Sequence, residues 1–194
     1  MIEIRHRITG EIIHTVSTDT LAGADLSSAY LNYADLPGVD LRSIYLFNAD
    51  FGHANLEKAD LRDVLGDSSD FSDVTMSNAD LRHARLDESA MYRTNLQNAK
   101  MSGVRLCDAS LRYANLENAD LSNSDLGGVD FKQANLKGAI LVNANVQGAD
   151  LSTANLDSAN LNGAIYNKPR PDKIYTRWPE GFDPEKHGAV LKID

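Results

Sequence analysis

The sequence is poor in the groups on which most small proteins rely. One cysteine, Cys107, rules out an internal disulfide and fits a reducing compartment. Aromatic residues make up only 7% of the 194, although a core of this size usually draws much of its buried area from Phe, Tyr and Trp. The core must therefore consist of smaller units used many times. No stretch approaches 18 consecutive apolar residues, so no membrane span is expected. The opening segment, with Glu3, Arg5 and Arg7, lacks the apolar run of a secretory signal, so a cytoplasmic chain is expected. A basic excess is also missing. With 19 Lys and Arg against 28 Asp and Glu, the formal charge is -9, which disfavours direct binding to nucleic acid or to an anionic membrane. Residues 20–166 hold 20 acidic and 11 basic side chains, and so carry that whole charge.

What is present is a period of five. Stepping from Leu21 to Leu161 in fives visits 29 positions, of which 21 are Leu. The rest are Phe51, Phe71, Phe131, Met76, Met91, Met101, Val146 and Gly66. Two residues before the centres, from Ala24 to Ala164, stand 19 Ala and otherwise Val, Ser, Thr or Ile, none of them charged. Asp or Asn usually comes immediately before the centre, as at Asp25, Asp60, Asn95 and Asp150.

A strict period of five suits neither a helix nor a long strand, but it suits a chain that turns a corner every five residues. The small and large residues lie two apart, so a short extended segment points both to one side. Seven of the 13 glycines, Gly23 and Gly38 among them, fall two residues after a centre, and Asn48, Asn78 and Asn98 share that place. Gly and Asn tolerate the positive φ that some tight turns need. Phe51, Phe71 and Phe131 are separated by multiples of 20, as expected if four sides close one coil and these rings share a side. Coils stacked at the spacing of about 4.8 Å would give a rod some 35 Å long with about seven turns.

Segments such as ANLENADLSNSDL and ADLSTANLDSANLNGA resemble the A(D/N)LXX pattern of the pentapeptide repeat family. The resemblance covers about three quarters of the chain, and implies an all-β fold, a right-handed quadrilateral parallel β-helix. Some family members resemble B-form DNA in shape and acidity and bind DNA gyrase, protecting it from quinolones or inhibiting it. Several of the resistance members carry loops that interrupt the helix and a C-terminal dimerising helix, whereas the 29 units here run on without a break.

The ends of such a stack expose unpaired backbone and need covers. Residues 1–19 read as an N-terminal hairpin cap, with Ile2, Ile4 and Ile8 two or four apart and Thr9-Gly10 leading into Glu11–Val16. The repeat proper spans 20–166, and residues 167–194 form a C-terminal cap or tail. There Trp178 and Phe182 are expected to plug the last coil, and Asp183-Pro184-Glu185 opens a short helix that Gly188 stops.

No catalytic, cofactor or metal constellation emerges. The five histidines are scattered, with His53 and His83 at outward corner positions, and Cys107 follows a centre and points outward as a bystander. The candidate interaction surface is a pair of columns, Asp40, Asp60, Asp80 beside Arg42, Arg62, Arg82, expected to be largely self-paired. The rod is also polarised, with seven acids in residues 50–73 and an Arg-rich stretch from Arg82 to Arg112. Gly66 stands where a core Leu belongs, beside Leu65 at an outward position. Either the register slips so that Leu65 turns inward, the favoured alternative, or a gap opens between Leu46 and Leu86. The leading expectation is a non-catalytic structural or protein-interaction module without cofactor, binding a protein partner and existing as a monomer or a weak end-to-end homodimer through Trp178 and Phe182. The alternative is a DNA-mimicking, gyrase-binding or topoisomerase-binding protein.

Overall fold

Five residues are enough to satisfy their own backbone. In the unit Leu96–Lys100, Leu96 and Asn98 donate to the carbonyls of Asn115 and Glu117 in the next coil, at 2.7 and 3.0 Å, and Lys100 donates back to Ala79 at 2.9 Å. Ala99 closes the turn onto Leu96 at 3.0 Å, and Gln97 donates to the side chain of Asn95 at 3.2 Å. Every N–H of the unit is therefore used, which is what lets a chain without long strands bury its backbone. The same Asp or Asn turn recurs at Asp25, Asp60, Asp80, Asn115 and Asp150, which explains that residue preference before each centre.

The structure, a computed structural model, describes residues 1–169 and 174–192; residues 170–173 and 193–194 of the expected C-terminal segment lie outside the described residues. From Asp25 to Ile165 every bridge within the repeat is parallel and joins residues 20 apart, in four columns that pass through Tyr45, Asp50, Asn55 and Asp60. Twenty residues thus make one circuit of four sides, and the molecule is a β-helix. Its interior is a stack of the Ala and Leu positions, nearly all fully buried. Phe51 and Phe71 share a side and stack with centroids 5.4 Å apart.

The corners are more uniform than the sequence suggests. Nearly every residue two after a centre has positive φ, including Tyr33 at 59°, Lys58 at 59° and Arg93 at 54°. This conformation costs a non-glycine residue about 1–2 kcal/mol, so the stacked core and ladder impose it where composition alone would not. Thr153 is absent from that set, as expected for a β-branched residue.

At the N-terminal end β1 (Ile2–Arg5) and β2 (Ile12–Val16) form an antiparallel hairpin. Its chain continues onto the first coil through an antiparallel bridge from His6 to Ala34, with Asp35 donating to Arg5 at 2.9 Å. Ile4 is fully buried and Ile2 packs on the core, whereas Ile8 is exposed at the turn. At the other end β3 (Ile165–Tyr166) pairs with β4 (Val190–Leu191), and a 3-10 helix at Glu185–His187 ends at Gly188 with φ 85°. The residue capping that helix is Pro184, with no side-chain cap.

The C-terminal segment also rejoins the repeat. Arg177 bridges Asp150, and Val190 bridges Ile165, spacings of 27 and 25 residues that stand in for a step of 20. Thr176-Arg177-Trp178 and Ala189-Val190-Leu191 thereby supply a small, an outward and a large residue in the order of a repeat unit. Thr176 is buried and donates to the Val146 carbonyl at 2.8 Å.

The expected slip at Gly66 does not occur. Leu65 keeps its bridges to Tyr45 and Arg85, and Gly66 donates to the Arg85 carbonyl at 2.8 Å. Neighbouring residues in an extended segment face opposite ways, so turning Leu65 inward would expel Val64, which is buried. The interior closes instead: a Cβ at Gly66 would lie 3.1 Å from Leu86 Cδ2 and 3.3 Å from Leu46 Cβ.

Candidate interaction surface along the rod

The stacked columns bring the six expected residues together on one side. Arg42 Nε and Nη2 donate to Asp40 at 2.8 and 2.7 Å, and the same paired geometry recurs for Arg62 on Asp60 and Arg82 on Asp80. Arg42 also approaches Asp60 at 3.7 Å and Arg62 approaches Asp80 at 3.9 Å, so the pairs join into a zigzag. The Arg42 hydrogen bond holds the Asp40 carboxyl down at about 2, and Asp60 and Asp80 are lowered by Arg62 and Arg82. With each guanidinium engaged in cis, this side offers a partner little unspent charge.

The polarisation along the rod is similarly stitched together. Arg85 pairs with Asp67, Arg93 with Asp73 at 2.7 Å, and Arg105 with Asp87 at 2.9 Å, each reaching back 18 or 20 residues. The Arg-rich coils thus lean onto the acids of the coils before them. Cys107 is half-buried, and its N–H donates to Asp87 at 2.9 Å. Desolvation, then the carboxylate of Asp125, pushes its thiol up to about 12, so the group stays protonated.

A different edge carries an ordered array of aromatic and cationic side chains, Tyr113 exposed and Tyr33 and Tyr92 partly so, and the sequence reading missed it. His6 of the hairpin stacks on Tyr33 at 4.9 Å, and Tyr33 on His53 at 4.8 Å. Further along the same edge Asp73 holds Arg93, whose guanidinium lies 4.6 Å from the centre of the Tyr92 ring. Tyr92 meets Tyr113 edge-on at 5.2 Å, Arg112 lies 5.9 Å from the Tyr113 ring, and Asp130 holds Arg112 at 3.1 Å. Adjacent coils therefore display Tyr-Arg and Arg-Tyr, beside the small residues Ala90 and Ser110. Comparing positions 20 apart in the two corner columns would have revealed this order.

Trp178 and Phe182 lie at the C-terminal end as expected. Their rings stack at 5.4 Å, Tyr166 meets Trp178 edge-on at 5.7 Å, and His187 stacks on Phe182 at 4.4 Å. Both pack against the core. Asp150 anchors the same end: desolvation opposes its ionisation, but hydrogen bonds from Lys132, Ser152 and Arg177 outweigh it and hold the carboxyl well below its usual range. Among the described residues no group of His, Cys, Asp and Glu converges on a metal position, and no helix is long and apolar enough to cross a membrane.

The family model described as pentapeptide repeats matches this sequence in eight copies, over residues 24–63, 69–106, 89–128 and 130–165. No curated protein matches it. Among solved structures, a trypsin-treated variant of QnrB1, described as a plasmid-mediated fluoroquinolone resistance protein, is similar with a TM-score of 0.73 and 19% identity, over 89% of this chain and 84% of that one. Full-length QnrB1 is similar with a TM-score of 0.57 and 18% identity, over 88% and 85%. HetL, a pentapeptide repeat protein involved in heterocyst differentiation regulation from the cyanobacterium Nostoc sp. strain PCC 7120, is 31% identical over 74% of this chain and 68% of its own, with a TM-score of 0.43. At such identities the QnrB1 structures speak for the β-helix and for nothing further.

Proposed function

The chain belongs to the pentapeptide repeat family, and from that premise we propose that it is a non-catalytic protein-interaction module that docks through the Tyr-Arg edge of its rod. The observation that carries this reading is the order Tyr92-Arg93 on one coil and Arg112-Tyr113 on the next. Tyr and Arg are enriched where binding energy concentrates, and here both guanidiniums are held in place by Asp73 and Asp130 before any partner arrives. The adjacent Ala90 and Ser110 leave room for approach. By contrast, the side of Asp40, Asp60 and Asp80 has already neutralised itself with Arg42, Arg62 and Arg82, and serves the rod's own cohesion.

In this reading the helix is right-handed and quadrilateral, with about seven coils over residues 20–166. Residues 1–19 and 167–194 act as end covers, Ile2 and Ile4 at one end and Trp178 and Phe182 at the other. The protein works in the cytoplasm as a monomer or weak end-to-end homodimer. The test is retention of a protein from native lysate by the immobilised chain, compared with a Tyr92→Ala/Tyr113→Ala variant that keeps its thermal stability.

The charge of -9 on the repeat favours a second reading, binding to DNA gyrase or another topoisomerase as a mimic of acidic DNA. A supercoiling assay with purified gyrase separates the two, since no effect at micromolar protein removes the DNA-mimic reading.

A further inference from the structure

At the C-terminal end two of the four sides continue past the last complete coil and two stop. Thr176–Trp178 runs on beyond Asp150, and Ala189–Leu191 beyond Ile165. Beyond Asn155 the ladder ends: among the described residues no backbone group pairs with the N–H of Leu156 or Ser158, or with the carbonyl of Ala154. One coil earlier all three equivalents are used, with Leu136 donating to Asn155 at 2.8 Å, Gly138 to Asp157 at 2.8 Å and Asn155 to Ala134 at 2.9 Å.

The chain departs here because a turn at Pro179, closed by Phe182 donating to the Pro179 carbonyl at 3.0 Å, takes it across the end of the rod. An open cleft of about 370 Å³ is left between that turn and the last coil. Ala154 and Leu156 line one side of it, each 7% exposed where Leu136 in the coil before is fully buried. Phe182 and its stacked partner His187 line the other. The exposed carboxylates of Asp157 and Glu180 stand at the rim. The described residues on either side of the undescribed stretches lie elsewhere, Ile174 beside Gly148 and Lys192 on Tyr166.

We propose that this edge binds an extended segment of a partner protein as one of the two missing sides of the coil, the one that would follow Asn155. The segment runs parallel to Ala154–Ser158. Its backbone takes up the N–H groups of Leu156 and Ser158 and the Ala154 carbonyl, the mode by which peptides add to open sheet edges. The fold itself specifies the side chains. The two sides that do continue use Thr176 with Trp178 and Ala189 with Leu191, so the guest carries a small residue and a large apolar residue two positions apart, covering Ala154 and Leu156. A cation directly after the large residue meets Asp157 and Glu180. This end site is separate from the Tyr-Arg edge and stands or falls independently of it.

The test uses the intact chain and a blocked heptapeptide, Ser-Thr-Ala-Asn-Leu-Lys-Ser, at millimolar concentration, with amide hydrogen exchange followed residue by residue. Saturable slowing of the Leu156 and Ser158 amides by at least about tenfold is expected. The same peptide N-methylated at its Asn, and so unable to donate to Ala154, should produce no slowing. Unchanged exchange at those two amides overturns the proposal, as does equal slowing by the methylated peptide. Slowing that grows with protein concentration when no peptide is present also overturns it, because the occupant would then be a second copy of this chain.

Discussion

Arg177 takes the place in the ladder above Asp150 that a residue 20 positions on would hold, although it lies 27 residues away. Leu151 donates to its carbonyl at 2.7 Å, its own N–H reaches Ala149 at 2.9 Å, and its guanidinium bonds Asp150 at 3.0 Å. Trp178 thus arrives as the large residue of a repeat unit in another register. Trp178→Ala should cost about 2–4 kcal/mol, somewhat under a full core truncation because the ring is only partly buried. Urea unfolding measures the loss, and light scattering of a monomeric parent should give the same mass for the variant. A fall in mass from a dimeric parent would instead place Trp178 in a homodimer contact.

Gly66 should behave as a filled position. Gly66→Ala must displace Leu86 by a few tenths of an ångström and should change stability by no more than about 1 kcal/mol, whereas Gly66→Leu should destabilise by about 1–3 kcal/mol through overpacking. Denaturant midpoints decide the matter. A stabilising Gly66→Leu would mean that a real cavity lies between Leu46 and Leu86.

These two positions also mark where the sequence could and could not be read. The Ala and Leu stack was legible because a small and a large apolar residue recur every five residues with few departures, Gly66 the plainest of them, and the hairpin was legible from Ile2, Ile4 and the Thr9-Gly10 turn. The register at Leu65 is not legible from one outward apolar side chain, because what holds it is the burial of Val64 and the bridges to Tyr45 and Arg85, both of which a slip would break. Thr176–Trp178 was hidden because the preceding loop shifts it out of phase, a step of 27 from Asp150, whereas Ala189–Leu191 keeps the phase of five and was hidden because the residues between it and Tyr166 break the pattern. The Tyr-Arg edge was hidden for another reason: it depends on contacts between residues 20 apart in outward columns, which no core pattern reports.

Acid should weaken the Asp-Arg zigzag in a defined window. The carboxyls of Asp40, Asp60 and Asp80 ionise at lower pH in the folded chain than the usual value of about 3.9, so their contribution is fully present above that pH. It is lost as pH falls toward 2, where Asp40 itself titrates. Arg62→Gln should lower the denaturation midpoint only slightly at pH 7, because the pair lies at the surface, and the difference from the parent should shrink as pH falls below the usual carboxylate range and Asp60 takes up its proton. A difference independent of pH would assign the loss to packing of the Arg62 stem.

Cys107 should resist alkylation. With its thiol pushed up to about 12, the thiolate fraction at pH 8 is small, and iodoacetamide should modify the folded chain at least about tenfold more slowly than the urea-unfolded chain. Equal rates would mean that neither burial nor Asp125 controls the thiol.

Docking is assigned to the edge where Tyr92 and Tyr113 meet at 5.2 Å between Arg93 and Arg112. The direct measurement is quantitative capture from native lysate by the parent chain and by Tyr92→Ala/Tyr113→Ala, with both proteins first matched for thermal stability. A protein retained by the parent and reduced at least about tenfold on the variant is the predicted result, the loss expected when anchoring aromatics are removed. Retention of the same protein in equal amount by both, or of none by either, would contradict the proposed role of this edge.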